Sequence, residues 1–253
     1  MVPRFVPGIS AYSATGGALS VASGRLSFAF GFKGPALSVD TACSSSLVAA
    51  HVANGAVLGG VSNGSLVAGV GLLLSPDTTA MFHKAAMLAP DGRCKTLDMT
   101  ADGYVRGEAA GVLLLAAVPP GSEPPQALAV FRGSAVNQDG RSSSLTAPNG
   151  PSQQEVIRSA LALARLGPAS MTHLQMHGTG TALGDPIEVG AATAVFVEGV
   201  CRPTALAAST AKSWIGHTEA AAGVMGLTHA TAALSHQLTQ GELYGSSGLV
   251  SVY

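Results

Sequence analysis

The stretch "SVDTACSSSLVAAHVA", Ser38–Ala53, decides how the chain is read. A beta-prone "LSV" runs into one cysteine, three serines and a train of small apolar residues. The pattern predicts a turn and buried strand over "GPALSVDTA". It then predicts a helix from just after Cys43 to about Leu58, closed by Gly59-Gly60. Cys43 therefore stands at a strand-to-helix junction. Free N–H groups and partial positive charge gather at a helix N-terminus. Both favour a thiolate, so the expectation is a lowered thiol pKa. The same N–H groups suit an oxyanion on a bound acyl carbonyl. The plainer alternative is a small buried hydrophobe.

Two histidines share this context. His177 lies in "MHGTGT" and His217 in "KSWIGHTE". Each follows an expected strand and precedes an expected helix, and ligands gather at the carboxyl ends of strands in α/β sheets. Lys212, five residues before His217, can orient a histidine or offset negative charge. Asp185 and Glu188, in "GDPIEVGA", read as a helix cap and as acids that buffer the site. His51, His83, His229 and His236 lack a Gly-rich turn and read as core or surface residues. His173 and His177 have i,i+4 spacing, but on a strand they stand too far apart to share a metal ion comfortably.

Further along, "GSLVAGVGLLLSP", "GVLLLAAV", "QALAVFRGSAV", "THLQM" and "TALAAS" read as strands buried on both faces. "PSQQEVIRSALALARLGP" reads as the clearest helix, with Ser152 and Glu155 as a capping box. "GDPIEVGAATAVF" reads as a helix capped by Asp185, and "TEAAAGVMGLTHATAALSHQL" as an apolar one. "LAPDGRCKTLDMTADGYVRGEAAG" reads as loop, its Arg93, Lys95, Arg106 and Glu108 bound into ion pairs. "PPGSEPP", Pro119–Pro125, is a stiff connector, and the final "GELYGSSGLVSVY" has no clear pattern. Strands alternating with helices make the fold class α/β.

The 253 residues suffice for a sizeable core. Hydrophobic residues are 47% and charged ones 11%, with a net charge of −1, so nothing points to nucleic acid or to a membrane surface. Three widely spaced cysteines argue against a disulfide framework or a cysteine-rich zinc site. No apolar run reaches membrane-spanning length. "MVPRFVPGIS" does not read as a signal peptide. The default location is cytoplasmic, with a plastid as the alternative.

In order along the chain, "VDTACSSSLVAAHVA", "MLAPDGRCKTLDMTADGYVRGEAAGVLLL", "GSAVNQDGRSSSLTAPNGPSQQEVI", "MHGTGTALGDPIEVGA" and "KSWIGHTEAAAGVMGL" resemble the successive motifs of the beta-ketoacyl synthase family. The wording resembles ketosynthase domains of polyketide synthases and animal-type fatty-acid synthases. The resemblance implies a thiolase-like fold of two similar halves in five layers, α-β-α-β-α, usually a homodimer. Residues 1–120 would form the N-terminal half with Cys43, and 121–253 the C-terminal half with His177 and His217. It implies an acyltransferase of the 3-oxoacyl-[acyl-carrier-protein] synthase type. Cys43 would take an acyl group from an acyl-carrier-protein thioester. His177 and His217 would stabilise the enolate left when a malonyl-type thioester loses carbon dioxide. Lys212 matches the family's lysine. No metal or redox cofactor is implied; phosphopantetheine arrives on the carrier protein.

Three departures set expectations of their own. Little precedes "AYSATGGALSVASGRLS", where the family has further strands and helices. No "GFGGTN"-like turn follows Leu234, so only the Cys43 N–H is assigned to an oxyanion hole, and losing one such donor commonly costs about 10²–10³ in rate. Trp214 stands where the family usually has Asn in "KSNIGH", and its bulk is expected beside His217. They leave a second reading, an inactive ketosynthase remnant serving as a dimerisation or interaction module, or an incomplete gene model. A thiolase would need a second cysteine as base, and Cys94 and Cys201 lie in unsuitable contexts.

Overall fold

A computed structural model describes residues 8–118, 127–239 and 248–252. The connector expected at Pro119–Pro125 and the side chain of His236 lie outside the described residues. The helices are α1 (Ser13–Gly17), α2 (Leu19–Phe30), α3 (Ser45–Leu58), α4 (Pro76–Lys84), α5 (Gly150–Ala164), α6 (Gly184–Phe196), α7 (Lys212–Ile215) and α8 (Ala222–Thr239). The strands are β1 (Gly64–Gly71), β2 (Ala109–Ala116), β3 (Val130–Ala135), β4 (His173–Gln175), β5 (Ala207–Ser209) and β6 (Gly248–Val252). They form three pairs: β1–β2 antiparallel, β3–β6 parallel and β4–β5 parallel. No described helix is long and apolar enough to cross a membrane.

The centre is where α3 and α8 meet β1. Leu47 and Ala50 of α3, Val67 of β1, and Val224 and Leu227 of α8 form one buried cluster. Small residues set the approach. A Cβ on Gly69 would lie 2.9 Å from Ser46 Cβ, and one on Gly223 would lie 2.6 Å from Leu47. A second cluster joins α5 to α6 through Ile157, Leu161, Val195 and Phe196.

Several expectations are corrected. Residues 35–40 form no strand and are mostly exposed, because no described strand pairs with them to satisfy a ladder. The strands of the β1–β2 sheet are not buried on both faces. They alternate, leaving Leu66, Val70, Val112 and Leu114 at least half exposed on the outer face. The α5 cap is Asn149, whose side chain accepts from the Ser152 N–H, rather than a Ser152–Glu155 box. Asp185 lies inside α6, whose N-cap is Leu183. In the last stretch, where no pattern was visible, β6 pairs with β3. Helix α4 went unpredicted despite a legible start, Ser75 capping the Asp77 N–H with Pro76 at the first helical position.

Candidate active site

Cys43 sits two residues ahead of α3, on a tight turn. Ala42 holds the left-handed conformation at φ 54°, which costs an L-residue roughly 1–2 kcal/mol. The flanking polar groups offset that strain. The Ala42 N–H donates to Asp40 Oδ1 at 3.1 Å, and the Ser45 hydroxyl donates to the Ala42 carbonyl at 2.6 Å. The Ser45 hydroxyl also accepts from the Thr41 N–H at 2.9 Å. Ser44 bonds back to the Thr41 carbonyl and hydroxyl, both at 2.8 Å. The third serine looks the other way: Ser46 Oγ accepts from the Val224 N–H at the start of α8. The serine run thus shapes the turn and ties it to the helix that follows His217.

His177 follows β4, on a turn clamped by the loop that precedes β2. Thr96 donates to the Gly178 carbonyl at 2.7 Å, and the Gly103 N–H donates to the Gly180 carbonyl at 3.0 Å. Gly178 (φ 47°) and Gly180 (φ 80°) take left-handed conformations, and a Cβ on either would strike Thr96 or the Lys95 backbone. Glu188, projecting from α6, receives the N–H groups of His177 at 2.5 Å and Gly178 at 2.8 Å. Asp185 receives those of Gly180, Thr181 and Leu97. Lys212, buried at the start of α7, donates to the His177 carbonyl at 2.6 Å.

His217 follows α7 and is buried. Its N–H donates to the Val105 carbonyl, and its own carbonyl accepts from Gly107 N–H. The Tyr104 ring packs edge-on against it, 5.1 Å between centroids. The Glu219 N–H donates to His217 Nδ1 at 3.2 Å. An Nδ1 that accepts cannot carry the proton, so the neutral ring holds it on Nε2. The His177 and His217 rings meet edge-on at 5.5 Å.

Side-chain donor atoms of Cys43, His177 and His217 all lie within 4.8 Å of one another. Of the six candidates from the sequence, these three converge, and Lys212, Glu188 and Asp185 hold the His177 turn behind them. The three open into one cavity of about 2110 Å³, whose apolar wall includes Leu161, Met171, Leu174 and Phe196. The trio has the donor types of a metal site, but His217 does not fit one. One ring nitrogen is taken by an amide and the other bears the proton.

Burial dominates the electrostatics. It pushes Cys43 above the ordinary thiol value, against the expected lowering, and outweighs the Lys212 charge and the turn's N–H groups. Burial, helped by Lys212, pushes His217 down to about 3 and His177 well below its usual value. Both rings are neutral at pH 7. Glu188 is pushed up and Lys212 down, again by burial. Trp214 does not crowd His217. Its indole is 81% exposed and stands edge-on to His229, 5.8 Å between centroids. His51 bonds Ser134, and His83 is exposed on α4.

Residues 6–120 match the beta-ketoacyl synthase N-terminal domain and residues 128–243 the C-terminal domain. The chain belongs to the beta-ketoacyl synthase family. This is a family of acyltransferases. Over 230 residues the chain is 49% identical to polyketide synthase GfsA of Streptomyces halstedii, covering 90% of this chain and 3% of that one. It is also 49% identical over 230 residues to the pikromycin polyketide synthase component PikAII of Streptomyces venezuelae, covering 90% and 6%. An oxazolomycin ketosynthase domain from Streptomyces albus superposes with TM-score 0.82 at 35% identity, covering 90% of this chain and 39% of that one. The module 6 ketosynthase of the bacillaene synthase from Bacillus subtilis gives 0.84 at 37%, covering 94% and 41%. The fold is the thiolase-like fold of ketosynthases. The chain spans about two fifths of these solved ketosynthases and 3–6% of the two polyketide synthases.

Proposed function

We propose that this chain carries the reacting groups of a polyketide-type ketosynthase performing decarboxylative Claisen condensation. The supporting observation is the Cys43–His177–His217 cluster, with His217 fixed as an Nε2–H donor. In the first step Cys43 Sγ attacks an acyl thioester on an acyl-carrier protein. A Cys43 acyl thioester forms, the carrier's C–S bond breaks, and the thiol proton ends on the released phosphopantetheine thiol. In the second, a malonyl-type thioester loses carbon dioxide, and the electron pair of the broken C–C bond delocalises onto its thioester oxygen. Neutral His177 and His217 donate hydrogen bonds to that oxygen, where charge develops. The resulting carbon nucleophile attacks the acyl-Cys43 carbonyl. The tetrahedral oxyanion collapses to a beta-ketoacyl thioester on the carrier and frees Cys43 as thiolate, which then takes up a proton.

Lys212, Glu188 and Asp185 act behind this cluster by holding the His177 turn. The division at residues 120/121, homodimerisation, and carrier-protein and thioester partners belong to the same reading. Intact-mass labelling with a short acyl thioester tests it. One acyl adduct is expected, absent in Cys43→Ala, together with carbon dioxide release from a malonyl thioester. A folded chain giving neither leaves the inactive remnant as the better reading.

A further inference from the structure

We infer that Arg106 and Glu219 form a positioning pair that sets the tautomer of His217. Glu219 supplies the amide that holds Nδ1, yet its own backbone is strained, a glutamate at φ 51°. The strain is held by its side chain. Arg106 grips the Glu219 carboxylate with two bonds, Nε to Oε1 at 2.5 Å and Nη2 to Oε2 at 2.9 Å. Arg106 is itself fixed. Its side chain is 6% exposed, Nη1 donates to the Thr78 and Thr79 hydroxyls of α4, and its guanidinium lies 5.4 Å over the Phe82 ring. A two-bond fork on a carboxylate fixes direction as well as distance. The Arg106 backbone also bridges that of His217, so one residue holds the ring's main chain and, through Glu219, its Nδ1.

Without the fork, Glu219 relaxes to a right-handed conformation and its amide turns from Nδ1. The ring can then carry its proton on either nitrogen, and only the Nε2–H form donates into the cluster.

Nitrogen-15 NMR of the ring nitrogens, on the full histidine-labelled chain at pH 7, tests this. The His217 signals are assigned by their loss in His217→Gln. The native chain is expected to show only the Nε2–H pattern, and Arg106→Met a mixture of both. Glu219→Asn, combined with Arg106→Met, is expected to restore the Nε2–H pattern, since asparagine tolerates left-handed backbone. A pure Nε2–H pattern in folded Arg106→Met overturns the inference, as does a mixture in the native chain. If Arg106→Met does not fold, Arg106→Lys decides. It keeps the charge and loses the fork, and a pure pattern there overturns the inference.

The catalytic consequence rests on the condensing-enzyme reading. Malonyl decarboxylation is expected to lose about tenfold or more in kcat with KM little changed, while Cys43 acylation stays within about twofold. The NMR result stands even where the chain shows no decarboxylation, so the two readings fail separately.

Discussion

Ser46 Oγ receives the Val224 N–H at 3.0 Å, joining the helix that follows the cysteine to the helix that follows the second histidine. Both residues are almost fully buried. Ser46→Ala strands a buried amide, so a loss of about 1–3 kcal/mol is expected. Thermal unfolding of the purified variant measures it. A shift of less than about a degree removes this bond from the frame of the site.

Stability should fall on the acid side. His217 is held near 3 when folded against an ordinary value of 6.5, and His177 is lowered too. Between those limits the unfolded chain binds protons that the folded chain refuses. Stability therefore rises with pH and is lost as pH drops below about 6.5, by ~1.4 kcal/mol per unit for His217, and His177 adds to the loss in the same direction. Unfolding midpoints from pH 7 to 4.5 check this. His217→Gln should show a shallower slope.

Cys43 should alkylate slowly at neutral pH, because burial holds its thiol above the ordinary range. The Lys212 charge opposes that rise. Lys212→Gln should move the iodoacetamide pH profile to still higher pH. An unmoved or lowered profile would sink the electrostatic link between these residues.

Glu188→Gln keeps one acceptor oxygen and turns an amide toward the second N–H of the His177 turn. Both N–H bonds are short, 2.5 and 2.8 Å. A destabilisation of about 1–3 kcal/mol is expected, with reduced malonyl decarboxylation. Chemical denaturation and carbon dioxide release report the two effects.

Trp214→Asn should be nearly silent. The indole is exposed and faces His229 rather than His217. A change within about 0.5 kcal/mol and unchanged Cys43 acylation are expected.

Local signals carried much of the site. A Gly-rich turn after β4 marked His177, the glycine before His217 marked the second histidine even though α7 rather than a strand leads into it, and the junction before a small-residue helix marked Cys43. Lys212, Asp185 and Glu188 could be named because they sit in the same motifs. The sequence marks Arg106 as an ion-pair residue but not its partner: Glu219 lies 113 positions away, and no local pattern encodes that distance. The direction of the Cys43 shift is hidden from the sequence for a related reason. The turn's N–H groups are local and legible, whereas desolvation is set by elements that arrive from elsewhere. Helix α4, passed over in the sequence, supplies Thr78, Thr79 and Phe82 around Arg106.

The outer face of the β1–β2 sheet has a colloidal consequence. Leu66, Val70, Val112 and Leu114 lie side by side on paired strands and face water. A continuous aliphatic slab of this kind favours self-association of the isolated chain. Its light scattering should climb with concentration well below the temperature at which the helices melt, so handling of this polypeptide is governed by its wetted sheet before its fold.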